Sequence, residues 1–323
     1  MLHTPQLADL HAARERISPH VRRTPLLESE TLNRRTGARV FVKAESLQRG
    51  GAFKARGAFS AITALLQHAE VRPRGLIAYS SGNHAIAVAT AARTFGLSAV
   101  IVMPADAPAA KRAQTEALGA EVVAYDRERE SREAIGVRLA EERGLALIRP
   151  FDDPLVIAGQ GTAGLEIAED LQALGLVPQR ALICASGGGL CAGVGLALQA
   201  QFPEMEVVAV EPESHDDLAR SLAAGERLAN APGVRSICDA LLVDRPGALT
   251  FPILQALRTR AVAVSDGAVL GAMRAAALDL KLVLEPGGAV ALAAALGGEA
   301  QGVTVVLASG GNVDAEMLQR VWA

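Results

Sequence analysis

Lys54 follows a glycine pair, Gly50-Gly51, and an aromatic, Phe53, and it precedes apolar residues at a helical repeat, Phe59, Ile62, Leu65 and Leu66. This spacing sets its amine at the mouth of a helix, behind a loop open enough for a ligand to come close. A lysine in a partly desolvated pocket at the positive end of a helix loses basicity, and a neutral amine forms a Schiff base with a carbonyl. On this stretch alone, a surface lysine beside two glycines fits as well.

Three glycine-bearing turns fall where strands are expected to end. Ser80-Ser81-Gly82-Asn83-His84 leads from a strand into a helix, where backbone N–H groups without helical partners favour an anion. Ser and Asn also cap helices with no ligand present. In Ser186-Gly187-Gly188-Gly189-Leu190, successive glycines let amides wrap a phosphate, whereas a plain tight turn needs a single one. Ser309-Gly310-Gly311-Asn312 follows the last strand, and Glu285-Pro286-Gly287-Gly288 opens a helix. Together with Lys54, these turns describe a phosphorylated cofactor held by backbone amides beside an amine. A dinucleotide fold accounts for them less well: Glu211 stands where a ribose-binding acid belongs, but the glycine after Gly189 is Gly193, which breaks the G-x-G-x-x-G spacing. Glu211-Pro212-Glu213-Ser214-His215-Asp216-Asp217 carries carboxylates at both ends, which leaves a hard-cation site and a solvated acidic loop both open.

The elements that must position these residues alternate. A helix is expected over 5–20, an extended segment at Thr24–Leu27, a strand over Arg39–Lys43 and the Lys54 helix. Strands at 75–79, 99–103, 121–125 and 145–148 are separated by helices at 84–95, 107–118 and 128–142. Beyond Pro154 come a helix over 155–173, strands at 181–185 and 206–210 around another helix, and an irregular stretch rich in Gly, Pro and Asp over 211–247. Helices near 250–258, 266–282 and 288–296 lead to a final strand, Val303–Ala308. Short apolar strands between helices imply parallel βαβ units. The fold class is α/β: two αβα lobes with parallel-rich twisted sheets and a cleft between them.

The 323 residues include 32 basic and 35 acidic side chains, net −3, so no basic stripe points to nucleic acid. Half the residues are hydrophobic, largely Ala, Leu and Val, and no apolar run is long enough for a membrane span. The cysteines, Cys184, Cys191 and Cys238, form no CxxC pair and suit a reducing compartment; with no export signal visible, a cytoplasmic protein is expected.

From Thr24-Pro25-Leu26 to Ser309-Gly310-Gly311-Asn312-Val313-Asp314, the chain resembles the serine/threonine dehydratase and serine racemase family of fold-type II pyridoxal-phosphate enzymes, which are related to the tryptophan synthase β chain. The motifs that carry the resemblance are FKARGA around Lys54, SSGNHA from Ser80, SGGGL from Ser186 and SGGNVD from Ser309. It implies a large cofactor-binding domain of residues 1–75 and 152–323, with a small domain, 76–151, inserted. It implies pyridoxal 5'-phosphate bound covalently at Lys54, with Phe53 against the ring, Asn83 on the phenolic oxygen, Gly187, Gly188, Gly189 and Leu190 on the phosphate, Ser309 facing the ring nitrogen, and Glu285 also in the cofactor-binding set. The substrate carboxylate would lie on Ser80, Ser81, Gly82, Asn83 and His84. Ser81 would be the acid/base opposite Lys54, and Glu211, the carbonyl of His215 and Asp217 would hold a divalent cation, Mg or Ca.

The implied activity is β-elimination of water from L-threonine or L-serine, giving a 2-oxo acid and ammonia. Amino-acid racemisation and a 3-hydroxyaspartate ammonia-lyase are the alternatives on the same scaffold, and a cofactor-binding protein without turnover is the alternative of another class. Arg132 matches a position that meets a second substrate carboxylate in this family, although an exposed helix arginine is the expected reading. A homodimer acting on a small amino acid is implied. Two departures stand out: Ala52 replaces the common Ser two residues before the lysine, and Asp239-Ala240 replaces an Asp-Gly. With so little chain after Asn312, no regulatory domain and no isoleucine feedback are expected.

Overall fold

A computed structural model describes residues 3–69, 71–80, 82–107, 109–126 and 129–323. Ser81 lies outside the described residues. The chain begins with α1 (Leu7–Ile17), β1 (Leu26–Glu28), α2 (Glu30–Thr36) and β2 (Arg39–Ala44), and then forms α3 (Lys54–His68). Four βα units follow: β3 (Gly75–Tyr79), α4 (Asn83–Phe95), β4 (Ser98–Pro104), α5 (Ala109–Ala117), β5 (Glu121–Tyr125), α6 (Arg132–Arg143), β6 (Leu145–Leu147) and α7 (Pro154–Ala173). The rest comprises β7 (Arg180–Cys184), α8 (Gly189–Gln201), β8 (Glu206–Pro212), α9 (Asp217–Ala224), α10 (Thr250–Ala256), β9 (Arg260–Val264), α11 (Asp266–Ala275), α12 (Pro286–Ala294), β10 (Val303–Ala308) and α13 (Ala315–Trp322).

The strands form two sheets, ordered β1-β2-β10-β7-β8-β9 and β5-β4-β3-β6. Every pairing is parallel except β1 with β2. Their strands are nearly continuous apolar runs, as expected for sheets covered on both faces: Leu76, Ile77 and Ala78 in one, and Ala181, Leu182, Ile183, Val207, Val208 and Ala209 in the other, are all fully buried. Helices α7 and α8 pack closely because small residues line their contact. A Cβ on Gly193 would lie 2.3 Å from the carbonyl oxygen of Ile157, so only glycine permits that approach.

Both sheets reverse their strand order at one point. In the smaller sheet β4 and β5 lie on one side of β3, and β6 lies on the other; in the larger, β8 and β9 lie on one side of β7, and β10 on the other. Ligands of open α/β sheets bind beyond the carboxyl ends of strands at such switch points. The loops leaving β3, β6, β7 and β10 are therefore the ones to watch.

Several expectations need correction. The stretch 211–247 is not irregular throughout, since it contains α9 and short 3-10 turns at Glu213–His215 and Asp239–Leu241. Arg260–Val264, expected to be a connection between helices, is an edge strand paired with β8. Helices α2 and α13 were not anticipated, and the helix expected over 266–282 narrows to α11, continued by a wide turn, Ala276–Leu280, that ends with Lys281 at φ +60°. The helix expected from residue 128 starts at Arg132, where the Ser131 side chain caps it.

Candidate active site

Lys54 is the first residue of α3. Its Nζ lies in a cavity walled by the four switch-point loops: Tyr79, Ser80, Gly82, Asn83 and His84 after β3, Pro150 and Phe151 after β6, Ser186–Leu190 after β7, and Ser309 after β10. The amine donates to the carbonyl of Pro150 at 2.7 Å and stands 5.2 Å from the centre of the Phe53 ring. Burial lowers its pKa to about 8, so a neutral amine is accessible near neutral pH.

His84, at the start of α4, is 2 % exposed, and its Nε2 lies 2.9 Å from the carbonyl of Ile148. A carbonyl only accepts, so Nε2 carries a proton. Burial and then the charge of Lys54 depress its pKa to about 3. Asn83 is oriented from both ends: its Nδ2 donates to Glu285 Oε1, and its Oδ1 accepts from Asn312 Nδ2 at 2.8 Å. Glu285 is buried, and that burial pushes its carboxyl up to about 7. Ser309 is buried beside Cys184, whose thiol burial pushes up to about 11.

The glycine turn entering α8 has the form of an anion cradle. The amides of Gly187, Gly188, Gly189 and Leu190 find no acceptor among the described residues. Behind the turn, a Cβ on Gly187 would lie 2.4 Å from the Phe151 ring, and one on Gly188, at φ +89°, would lie 2.9 Å from Thr250 Oγ1. Side chains are excluded by Phe151 and Thr250, and the turn that carries the unpartnered amides lines the cavity that holds Lys54. A phosphorylated carbonyl cofactor fits this donor set, with the phosphate on the turn and the carbonyl at the amine.

Of the residues singled out in the sequence, Phe53, Lys54, Ser80, Gly82, Asn83, His84, Gly187, Gly188, Gly189, Leu190, Glu285 and Ser309 line this one cavity. Glu211, His215 and Asp217 do not. No group of three or more His, Cys, Asp or Glu side chains among the described residues is placed to hold a metal ion. Glu211 already accepts from the amides of Leu218 and Ala219, and Asp217 Oδ1 accepts from Asn230. Asp217 Oδ2 is buried without a partner.

Arg132 is not the exposed helix residue expected. Its side chain is 34 % exposed, packs over the Tyr79 ring at 5.6 Å and lines the cavity. Lys111 on α5 also lines it, paired with Asp239 across the opening. Gln160 was missed by the sequence reading although a buried glutamine inside the apolar α7 was a signal; its Oε1 accepts from the amide of Gly57 at 3.1 Å. Cys184 and Phe151 gave no comparable signal.

The fold and cavity together define a cofactor-dependent α/β enzyme of the fold-type II kind. Residues 17–310 match the family described as pyridoxal-phosphate dependent enzyme, and the chain belongs to that family, in its serine/threonine dehydratase and serine racemase branch. It is 42 % identical to L-threo-3-hydroxyaspartate ammonia-lyase of Pseudomonas sp over 95 % of both chains. It is 38 % identical to serine racemase of Oryza sativa subsp. indica, over 96 % of this chain and 93 % of that one. Among solved structures it is similar to a threonine deaminase of T.th., at 45 % identity and a TM-score of 0.88, covering 96 % of this chain and 99 % of that one. No helix among the described residues is long and apolar enough to cross a membrane.

Proposed function

We propose that the protein is an ammonia-lyase that removes water from a 3-hydroxy amino acid and releases a 2-oxo acid and ammonia. When bound, pyridoxal phosphate supplies the electron sink that acidifies the Cα hydrogen of an amino acid. The chain's residues do the rest. The Lys54 amine, held near neutrality by burial, takes the Cα proton. The amide groups entering α4 would receive the substrate α-carboxylate, and the Asn83 amide, fixed by Glu285 and Asn312, would hold the cofactor's phenolic oxygen. The Ser309 hydroxyl, also in the cavity lining, would hold the ring nitrogen in place of an acid. Loss of the Cα proton and the β-hydroxyl leaves an enamine, and its hydrolysis gives the two products.

The observation that carries the substrate choice is Arg132 in the same cavity as Lys54. Only its Nε is bonded to Glu133, at 2.7 Å, which leaves the outer guanidinium nitrogens for a second carboxylate. This supports 3-hydroxyaspartate ahead of threonine and serine. The racemase reading rests on the proposed role of Ser81 and is decided by the same assay. Purified holoenzyme is incubated with L-threo-3-hydroxyaspartate, L-threonine and L-serine, and 2-oxo acid release and enantiomer exchange are followed. Release fastest from 3-hydroxyaspartate supports the proposal; enantiomer exchange without 2-oxo acid sinks it.

The reading includes a hard divalent cation, Mg or Ca, on Glu211, the main-chain carbonyl of His215 and Asp217. Its support is the orphaned Asp217 Oδ2 and the absence of a Lys or Arg ion pair to either carboxylate among the described residues. There it would neutralise two buried carboxylates and fix the start of α9. Loss of thermal stability on chelation, restored by Mg or Ca, checks it. A homodimer is part of the same reading, checked by sedimentation.

A further inference from the structure

Next to the catalytic cavity lies a second cavity of about 380 Å³, and of its arginines the proposed reaction uses only Arg132. The two share the wall formed by Tyr79, Arg132, Pro150, Phe151 and Val243. Four guanidinium groups from separate segments line the second one: Arg132 at the head of α6, Arg149 after β6, Arg227 after α9, and Arg245 before α10. In a chain of net charge −3, this concentration is local.

The three carboxylates on the same wall, Glu133, Asp152 and Asp244, leave one positive charge in excess, and their own acceptor oxygens are largely occupied. Both oxygens of Asp152 are taken up by the amides of Ala248, Leu249 and Thr250. Glu133 is bound by Arg132 and Ser131. Asp244 pairs with Arg245 at 3.2 Å, but both are more than half exposed, a geometry that contributes little. Arg227 uses only Nε, on the carbonyl of Pro246 at 2.9 Å. Arg149 has no hydrogen-bond or ion-pair partner among the described residues. Guanidinium donors in excess of free acceptors, lining a space large enough for a small molecule with Arg149, Arg227 and Arg245 exposed at its rim, match a ligand with several anionic oxygens.

We propose that this cavity is a binding site for a compact dianion, a dicarboxylate or a phosphate, distinct from the amino-acid site. It does not depend on which substrate the catalytic cavity takes. Binding of inorganic phosphate and of succinate, which has no amine to react, is measured calorimetrically on the holoenzyme, whose own phosphate cradle is filled. The Arg149→Gln/Arg227→Gln double variant is compared with the parent. Saturable binding of one or both probes, weakened at least about 10-fold in the double variant while the cofactor absorbance and melting temperature stay unchanged, is the expected result. Phosphate alone, or succinate alone, identifies which source of the dianion the site takes. Equal binding by parent and variant overturns the proposal, as does binding lost only when the catalytic cavity is blocked by a tight amino-acid ligand. Failure of the hydroxyaspartate assay leaves these readouts untouched, so the two ideas fail separately.

Discussion

Lys54 and Arg56 stand two residues apart at the start of α3, and the protein treats their charges in opposite ways. Arg56 is fully buried, and every edge of its guanidinium is used: Nε and Nη2 donate to Glu45 at 2.8 Å, and Nη1 and Nη2 donate to Glu166 at 2.7 and 2.8 Å. Lys43 adds a second cation 2.7 Å from Glu166, so two buried cations face two buried carboxylates. Burial opposes the charge on Arg56, but the two glutamates overcome it and raise its pKa. Lys54 has one carbonyl acceptor and no carboxylate, and burial wins. Balanced charge keeps Arg56 ionised; at Lys54, with no carboxylate to offset burial, the amine loses basicity.

The sharpest way to break this contrast is to remove each residue in turn. Lys54→Ala is expected to lower turnover by more than about 10³-fold, with the melting temperature unchanged or raised, because a desolvated amine is lost and no charged partner is orphaned, only the Pro150 carbonyl. Arg56→Met is expected to do the reverse at the level of the fold. It leaves Glu45 as a buried anion with no paired cation and Glu166 with Lys43 alone, and costs about 3–5 kcal/mol in urea unfolding. An Arg56→Met protein as stable as the parent would show that the buried cluster is incidental.

A third test uses pH. His84 is held neutral with a pKa of about 3, whereas in the unfolded chain it titrates near its ordinary 6.5. A depressed value means that its contribution to stability is complete above 6.5 and is lost as pH falls toward 3. The loss is about 1.4 kcal/mol per pH unit inside that window. His84→Gln is expected to flatten this acid limb in urea midpoints measured from pH 7 to 4. An unchanged slope would mean that His84 is protonated in the folded protein.

These contrasts also explain what was legible in the sequence. The stretch around Lys54 and the glycine turns are contiguous motifs, and alternating apolar strands announce parallel sheets, so both could be read along the chain. What was hidden depends on distance. The carboxylates that bind Arg56 lie 11 and 110 residues away, and nothing local marks them as its partners. Arg132 looked like an exposed helix residue because its cover, the Tyr79 ring, arrives from another strand. The strand Arg260–Val264 escaped because it is short and at the sheet edge, with one of its five residues buried. Helix α9 was masked by the glycines, prolines and aspartates around it.

The smallest expected effect separates a glycine shaped by its site from one shaped only by its turn. Gly188 and Gly225 both have positive φ, +89° and +76°, where an alanine costs about 1 kcal/mol. Around Gly225 nothing lies within 4 Å of an added Cβ, so Gly225→Ala is expected to lose about that amount in unfolding experiments and nothing else. At Gly188 the same atom meets Thr250 Oγ1 at 2.9 Å and Leu254 Cδ1 at 3.0 Å, and relief of that contact pushes the turn toward the cavity. The amides of Gly187–Leu190 then lose their common aim. Gly188→Ala is expected to weaken pyridoxal phosphate by about 10-fold in an absorbance titration, roughly 1.4 kcal/mol, on top of the shared backbone cost. Equal cofactor affinity in the two variants would show that the turn's amides do not hold the phosphate.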